Sequence, residues 1–351
     1  MLNREAILNA LSQVEDPDLK KDLVTLGMIE KLEIEGKNVS FDLILTTPAC
    51  PMKDMLVNAC KTAIKYMVDQ EAEIHIRVDS RVSQNLRPDN VLPNVKHVIA
   101  VASGKGGVGK STLSATLALG LSHLGAKVGL LDADIYGPSV PTLFNVHVSP
   151  QMIEVDGKQR MLPVESHGLK LLSIGFMTAP GQAVVWRGPM ISSAFKQFIH
   201  DVEWGDLDYL IVDLPPGTGD VQITLAQQAP LTGVVVVTTP QEMALTDARR
   251  AIDMFSLDAI AKPIIGVVEN MSYFIPNDAP DKKYHVFGEG GGQKLAAEYN
   301  LNFLGELPLN PEIGLNADSG NWDFNNANLK SYLAVAQEVA RRISIMGNSS
   351  I

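Results

Sequence analysis

Five short stretches of this sequence are apolar without interruption, and they restrict the possible fold more than any other feature. Each is rich in β-branched residues, and stretches with helical spacing separate them. Strands of continuous apolarity are buried on both faces of a parallel sheet, whereas alternating strands have one face in water. The pattern therefore predicts a doubly wound α/β domain with a mostly parallel sheet. The five stretches are His97–Ala102, Val128–Asp132, Tyr209–Asp213, Gly233–Thr238 and Ile264–Val268.

The beginning of the chain has a different pattern, which predicts a small α+β domain at residues 1–82. Apolar residues at helical spacing predict two helices, and alternating residues predict three strands. A polar segment with two prolines and no periodicity follows, so we expect a linker at residues 83–96 and the second domain at residues 97–346. The predicted helices are 4–13 and 51–68, and the predicted strands are 31–35, 39–45 and 73–78.

Charge and cysteine content narrow the class of protein. The chain has 29 Lys and Arg residues against 40 Asp and Glu residues, a net charge of −11, which argues against a protein whose whole surface binds nucleic acid and leaves a local basic patch open. Cys50 and Cys60 are the two cysteines, and the first residues lack the apolar core of a secretion signal. No apolar run reaches the ~18 residues that a membrane span needs. We therefore expect a cytoplasmic protein that binds neither nucleic acid nor membranes.

A glycine-rich loop directly follows the first apolar stretch and precedes a helical one. Residues 104–112 fit the pattern G-x-x-x-x-G-K-[ST], in which glycines let backbone N–H groups converge on phosphate oxygens at a helix N-terminus. Lys110 can neutralise β- and γ-phosphate charge, and the Ser111 hydroxyl can bind Mg²⁺. The sequence therefore predicts a site for ATP and Mg²⁺. The expected nucleotide contacts are Gly104, Lys105, Gly106, Gly107, Val108, Gly109, Lys110, Ser111 and Thr112.

A second lysine, Lys105, lies inside this loop, where an ordinary phosphate-binding loop needs only one. The pattern K-G-G-x-G-K-[ST] resembles the deviant Walker A ATPases, in which this lysine reaches the nucleotide of a partner subunit. The resemblance implies a homodimer that depends on nucleotide, with both Lys105 and Lys110 acting in catalysis. One extra charge at ~4 Å is worth ~4 kcal/mol at an effective dielectric of 20, before desolvation. The alternative is a solvated loop lysine.

Two other strands end in acidic residues, and the carboxyl ends of parallel strands share one edge of the sheet. Asp213 follows apolar residues in the Walker B manner and is expected to hold Mg²⁺. Asp134 is the candidate to orient or deprotonate the attacking water, with Asp132 in support. Residues 214–220 have the Pro and Gly content of a loop that senses the γ-phosphate. For the carboxylates, the alternative is a cap of the following turn.

Two more residues have a predicted role and a simple structural alternative. Asn270 follows a strand at the position where such ATPases place an asparagine against the adenine ring, and the alternative is an asparagine that forms a turn. Arg187 could reach phosphate or a partner, and the alternative is an exposed arginine beside a packed Trp186.

Several motifs together resemble the Mrp/ApbC ATPases, which are iron–sulfur cluster carriers. The motifs are SGKGGVGKST, LLDADIYGPSVP, WRGPM, VDLPPGTGD, ENMSYF and the glycine cluster Phe287–Gly292. The first domain resembles one shared with iron–sulfur targeting factors, through Glu15–Asp18, Leu26–Ile29 and Thr46–Pro51. The resemblance implies a cytoplasmic homodimer that hydrolyses ATP slowly. It also implies that a [4Fe–4S] cluster is delivered to apo iron–sulfur client proteins, with assembly factors as further partners.

The sequence departs from these carriers at the expected cluster site. They have a C-x-x-C between the ENMSYF-type motif and the glycine cluster, whereas residues 275–285 of this chain contain no cysteine. Cys50 is the remaining candidate ligand, because it lies at the expected start of a helix, where the pKa of a thiol is lowered. The alternative is a partly buried, non-reactive cysteine. Cys60 lies on an apolar helix face and is expected in the core.

The leading hypothesis is therefore an ATP-dependent iron–sulfur cluster carrier or assembly factor. Two alternatives stay open at this point. One is a regulatory ATPase that has lost cluster handling and binds proteins through its first domain. The other is a ParA/MinD-like positioning ATPase that binds DNA or a membrane, although the amphipathic stretch 328–346 has few basic residues.

Overall fold

The computed structural model describes the chain in four stretches, residues 2–82, 91–177, 188–276 and 278–348. The predicted roles of Trp186 and Arg187 fall outside these residues. Among the helices that the structure describes, none is both long enough and apolar enough to cross a bilayer.

The chain forms two units. The first consists of residues 1–83 together with 340–351, and the second of residues 84–339. The predicted second domain, residues 97–346, instead includes almost all of the final helix, and its last part is therefore assigned wrongly. Helical periodicity shows that one face of a helix is buried, but it does not show which core buries that face.

A three-stranded sheet packed against two helices forms the core of the first unit. Alternate residues of one strand, such as Val39 and Phe41, are buried and pack with Leu11 of the first helix and Leu56 and Cys60 of the second. The prediction that Cys60 lies in the core is confirmed. The elements are α1 (Arg4–Leu11), β1 (Glu15–Asp16), β2 (Lys21–Asp22), β3 (Ile29–Glu35), β4 (Asn38–Leu45), α2 (Lys53–Met67) and β5 (Glu73–Ser80).

The second unit alternates strands and helices along most of its length. Its first strand begins at Val95, inside the segment expected to be linker. The elements are β6 (Val95–Ala102), α3 (Lys110–His123), β7 (Val128–Asp132), α4 (Val140–Leu143), β8 (Gln151–Val155), β9 (Lys158–Leu162), β10 (Val164–Ser166), β11 (Leu169–Ser173), α5 (Gly188–His200), β12 (Leu207–Asp213), α6 (Asp220–Gln228), β13 (Gly233–Thr238), α7 (Glu242–Ser256), β14 (Ile264–Glu269), α8 (Gly291–Glu298), β15 (Phe303–Glu306), α9 (Pro311–Ser319) and α10 (Lys330–Asn348).

Eight of the strands described in the second unit form one sheet, in the order β10-β11-β7-β12-β6-β13-β14-β15, and β8 and β9 form a separate two-stranded sheet. All neighbours are parallel except β10 and β11. Every residue of β7 and β13 is buried, which requires cover on both faces of the sheet. The predicted doubly wound α/β fold is confirmed. Because β7, β12 and β6 are neighbours, the segments that follow them meet at one edge.

Candidate functional site

The glycine-rich loop connects β6 to α3 at the carboxyl edge of the sheet. Gly107 and Gly109 have φ angles of +82° and +84°, a conformation that residues with a Cβ rarely adopt. Among the described residues, no acceptor contacts the backbone N–H groups of residues 105–109. Free N–H groups at the start of a helix attract an anion. The loop therefore suits a phosphate group, and its individual nucleotide contacts stay predictions.

Gly104, the first residue of the motif, lies against helix α7. A Cβ at this position would be 2.0 Å from the carbonyl oxygen of Asp247, which is far inside contact distance. Because both sides of this approach are backbone, neither can give way as a flexible side chain could. Helix α7 is thus a fixed support for the loop.

Replacing Gly104 by alanine is expected to weaken ATP binding by about tenfold or more, because the added methyl group must push the loop away from α7. Isothermal titration calorimetry measures this affinity. Gly314→Ala is the matched control, since no atom lies within 4 Å of the Cβ position of Gly314. Wild-type affinity in the Gly104 variant would show that the loop does not depend on this support.

Lys110 is the charged centre of the site. Its side chain is 7% exposed, and Nζ lies 2.8 Å from Asp213 Oδ1 and 3.7 Å from Asp134 Oδ2. The same atom donates to Ser111 Oγ at 3.2 Å. The structure thus brings together four residues that the sequence analysis singles out separately. An anion in the loop would compete with the two carboxylates for this ammonium group.

Asp213 is completely buried at the end of β12. Its Oδ1 accepts hydrogen bonds from Lys110 and from Ser114 Oγ, at 2.8 and 2.7 Å. Among the described residues, its Oδ2 has no hydrogen-bond partner although it is buried. Buried polar atoms are rarely left unpaired, and Mg²⁺ prefers carboxylate and hydroxyl oxygens. Asp213 and the hydroxyl of Ser111 therefore fit a magnesium ion.

The two aspartates near the end of β7 have different surroundings. Asp132 is completely buried, and burial together with the charge of Asp213 raises its pKa. Asp134 keeps 9% exposure, and burial raises its pKa while the Lys110 ammonium opposes the shift. A raised pKa makes a carboxylate a better proton acceptor near neutral pH. These surroundings suit the role predicted for Asp134.

The loop after Asp213 is tied to the glycine-rich loop. The Gly217 N–H donates to the carbonyl of Ser103 at 2.9 Å. Gln222 closes the loop, since its Nε2 donates to the Pro216 carbonyl at 2.6 Å and its Oε1 accepts from the Gly219 N–H at 3.0 Å. Sequence reasoning missed Gln222, although a glutamine at the third position of a helix is a known capping signal.

Asn270 supports the loop directly. Its Nδ2 donates to the carbonyl of Val108 at 2.9 Å, and its side chain is buried. A Cβ on Gly109 would lie 2.1 Å from the same nitrogen, so this glycine leaves room for the amide. The predicted contact between Asn270 and adenine stays a prediction.

Lys105 has a different environment from Lys110. Its side chain is half-buried, and among the described residues its ammonium forms no ion pair. Its carbonyl accepts a hydrogen bond from Ser103 Oγ at 2.9 Å, which fixes the backbone. The backbone is thus held while the charge has no carboxylate partner among these residues. That combination leaves the ammonium able to reach another negative group.

The expectation of a lowered thiol pKa at Cys50 is wrong. Helix α2 begins at Lys53 and not directly after the cysteine. Burial raises the pKa of the Cys50 thiol, and the nearby charges of Asp16 and Asp18 add to the shift. Arg341, which bonds Asp18 through Nε at 2.8 and 2.9 Å, opposes it only in part. The role of Cys50 as a cluster ligand stays a prediction.

The segment that lacks the C-x-x-C is a closed turn. Phe274 and Tyr284 exchange two backbone hydrogen bonds of 2.9 Å. The Lys283 ammonium lies 4.1 Å from the centre of the Tyr273 ring, and His285 Nδ1 lies 3.0 Å from a backbone carbonyl. Across the described parts of the chain, no group of three or more His, Cys, Asp or Glu residues could hold a metal ion.

The glycine cluster that follows this turn has a structural role. The N–H of Gly292 donates to Glu269 Oε2 at 2.5 Å, and a Cβ on Gly291 would lie 2.7 Å from the Pro240 carbonyl. Glycines therefore let α8 begin directly against the ends of two strands. Glu269 is a buried carboxylate that sequence reasoning missed, because its partner lies far along the chain.

These features together define the class of the protein: the chain is a P-loop NTPase. Comparison with protein families then identifies the family within this class. Residues 94–344 match the NUBPL iron-transfer P-loop NTPase family, and residues 4–76 match an iron–sulfur cluster assembly protein family. The chain belongs to the NUBPL iron-transfer P-loop NTPase family. The resemblance to iron–sulfur carriers is therefore confirmed.

Several curated proteins are similar over most of the chain. A protein of Synechocystis named iron–sulfur cluster carrier protein is 44% identical over 354 residues, 98% of this chain and 99% of its own length. One of Deinococcus radiodurans with the same name is 47% identical over 90% of this chain and 87% of its own. The Fe–S cluster assembly factor HCF101 of Arabidopsis thaliana is 41% identical over 90% of this chain and 58% of its own.

A solved structure is also similar to this chain. It is the nucleotide-binding protein from Archaeoglobus fulgidus in complex with ADP. That protein is 35% identical, with a TM-score of 0.59, and the match covers 70% of this chain and 96% of the other.

Proposed function

We propose that this protein is an ATP-dependent carrier that delivers iron–sulfur clusters to apo-proteins, acting as a homodimer in the cytoplasm. Its family and the names of its relatives support this reading. Both cysteines are free thiols, which suits a reducing compartment. The observation that carries the proposal is the buried contact of Lys110 with Asp213 and Asp134, directly beside N–H groups that face no acceptor in the described parts of the chain.

When ATP binds, its phosphates replace the two carboxylates as the partners of Lys110. The backbone N–H groups of residues 105–109 surround the phosphates, and Lys110 turns from the carboxylates toward them. Ser111 and Asp213 would hold Mg²⁺, which supplies positive charge to the triphosphate when bound. Release of Lys110 also frees the Asp134 carboxylate. Nucleotide binding therefore also makes the Asp134 carboxylate available for hydrolysis.

Asp134 then orients the water that attacks the γ-phosphorus. A new bond forms between the water oxygen and phosphorus, the bond to the ADP oxygen breaks, and Asp134 accepts the proton of the water. The loop after Asp213, held by Gly217 and Gln222, lies next to the phosphate loop. Loss of the γ-phosphate would let this loop relax.

Lys105→Ala is expected to leave ATP affinity within about twofold of wild type and to abolish ATP-dependent dimerisation. The reason is that Lys105 has no carboxylate partner among the described residues, so its charge is available to a nucleotide in a second copy. Sedimentation velocity with and without ATP measures dimerisation. Lys158→Ala, an exposed lysine of the β8–β9 hairpin, is the control. An unchanged ATP-dependent dimer would reject the role in trans.

Cluster uptake tests the proposed function itself. Anaerobic reconstitution with ferrous iron and sulfide, followed by visible absorption, should give a bound cluster in the wild type. Cys50→Ala should bind much less, because thiolates are the ligands that hold such clusters. Cys60→Ala is the control, since that thiol is buried in the core. No uptake by the wild type would exclude the carrier and leave a regulatory ATPase.

A further inference from the structure

A hydroxyl outside the predicted set of residues reaches the site from a third strand. Ser173 is the last residue of β11 and is completely buried. Its Oγ donates a hydrogen bond of 2.9 Å to Asp132 Oδ2. The same oxygen accepts a hydrogen bond of 3.1 Å from the Gly175 N–H. Its position is therefore fixed from both sides.

The sheet places this serine in line with both buried aspartates. Ser173 is the register partner of Asp132, and Asp132 is the register partner of Asp213. Three polar residues thus end three neighbouring parallel strands in one row. Burying a polar group destabilises the fold unless the group forms hydrogen bonds.

Asp132 uses its other hydrogen bonds to hold the segment that follows β7. Its Oδ2 accepts from the N–H groups of Ser139 and Val140 at 2.9 and 3.1 Å, and its Oδ1 accepts from the Asp134 N–H at 3.2 Å. Among the described residues it forms no ion pair. The hydrogen bonds that it accepts from the described residues all come from neutral donors, and Ser173 is the donor that lies outside the held segment.

We infer that Ser173 is a positioning residue for ATP hydrolysis: it fixes the Asp132 carboxylate, which fixes the segment that presents Asp134. The inference rests on the proposed role of Asp134. Without the hydroxyl, the hydrogen bonds that hold Asp132 all come from the segment that it fixes, namely from the N–H groups of Asp134, Ser139 and Val140, so the acceptor of the Asp134 N–H is held less firmly. Among the described residues, neither Ser173 nor Asp132 forms a hydrogen bond to Lys110 or to the glycine-rich loop, which would bind the phosphates. The defect should therefore appear in the chemical step and not in nucleotide binding.

Steady-state hydrolysis by Ser173→Ala tests the inference. We expect kcat to fall by roughly tenfold or more, with ATP affinity within about twofold of wild type. Ser173→Thr keeps the hydroxyl, and the extended backbone at this position accepts a β-branched residue, so it should restore most of kcat. Asp132→Asn, which keeps the side-chain volume, should show the same loss of kcat with ATP binding retained.

Ser149→Ala is the matched control. Its hydroxyl bonds the carbonyl of Phe176, one turn from Ser173, but does not contact Asp132, so kcat should stay at the wild-type value. Wild-type kcat in Ser173→Ala would overturn this inference and would leave the proposed function unaffected. A parallel loss of kcat and ATP affinity would overturn it as well, because that result indicates general damage. Absence of hydrolysis in the wild type would instead overturn the proposed function, and this inference with it.

Discussion

Lys110→Ala is expected to abolish measurable ATP binding and to lower the free energy of unfolding as well. The first effect follows from loss of the cation that neutralises the phosphates. The second follows because Asp213 and Asp134 would lose their buried ammonium partner. Breaking a buried ion pair from one side costs about 3–5 kcal/mol. Calorimetric titration with ATP and urea denaturation measure the two effects separately.

A double variant separates binding from stability in this experiment. Lys110→Met combined with Asp213→Asn removes the charges of Lys110 and of Asp213 together. This double variant should recover much of the lost free energy of unfolding, but it should not recover ATP binding. If ATP affinity returned with stability, the lysine would not be a phosphate ligand. Retained affinity in Lys110→Ala would refute the assignment of the glycine-rich loop itself.

Asp134→Asn is expected to slow ATP hydrolysis by about 10²–10⁴-fold while ATP binding is kept. The amide has the size of the carboxylate but cannot accept the proton of the attacking water. It can still accept the hydrogen bond that Asp134 Oδ1 receives from the Gly137 N–H at 3.3 Å, so the local backbone should hold. Phosphate release under single-turnover conditions measures the rate.

Asp206→Asn is the control for this variant, since Asp206 lies at the opposite end of β12 from Asp213. Hydrolysis at the wild-type rate in Asp134→Asn would assign the base to another residue. The variant also addresses which nucleotide event drives transfer. Cluster delivery that persists in Asp134→Asn with ATP would assign the trigger to binding, and delivery that stops would assign it to hydrolysis.

The fold and the main acidic groups could be predicted because their signals are local. Each continuous apolar stretch identifies a buried strand, and the residue at its carboxyl end then lies at the ligand edge. Asp213 follows from this rule, Asp134 lies two residues beyond such a strand end, and Lys110 follows from the glycine-rich motif. The structure brings their charged atoms together. Chain order alone was sufficient for these residues.

Residues that act across the sheet could not be predicted in this way. Ser173 contacts Asp132 only because β11 and β7 are neighbours, and a serine at a strand end has no distinctive pattern. The sequence predicts a contact between Asn270 and adenine, but it does not predict the hydrogen bond that Asn270 donates to the Val108 carbonyl. Sheet order decides these contacts, and it depends on interactions between distant parts of the chain.

The error at Cys50 has a different origin. The local rule that a helix start lowers the pKa of a thiol is sound for an accessible thiol at the first turn. Here burial outweighs it, and the charges of Asp16 and Asp18 act in the same direction. Burial is a property of the folded unit, so one short motif could not reveal it.

The absence of cysteine between Phe274 and Tyr284 has a consequence for oxidation of this segment. Exposed pairs of thiols are readily oxidised and can cross-link two chains. In this chain both cysteines lie before residue 61, and the turn is joined by backbone hydrogen bonds that oxygen does not attack. This segment therefore offers no thiol to oxygen or to a cross-link between copies.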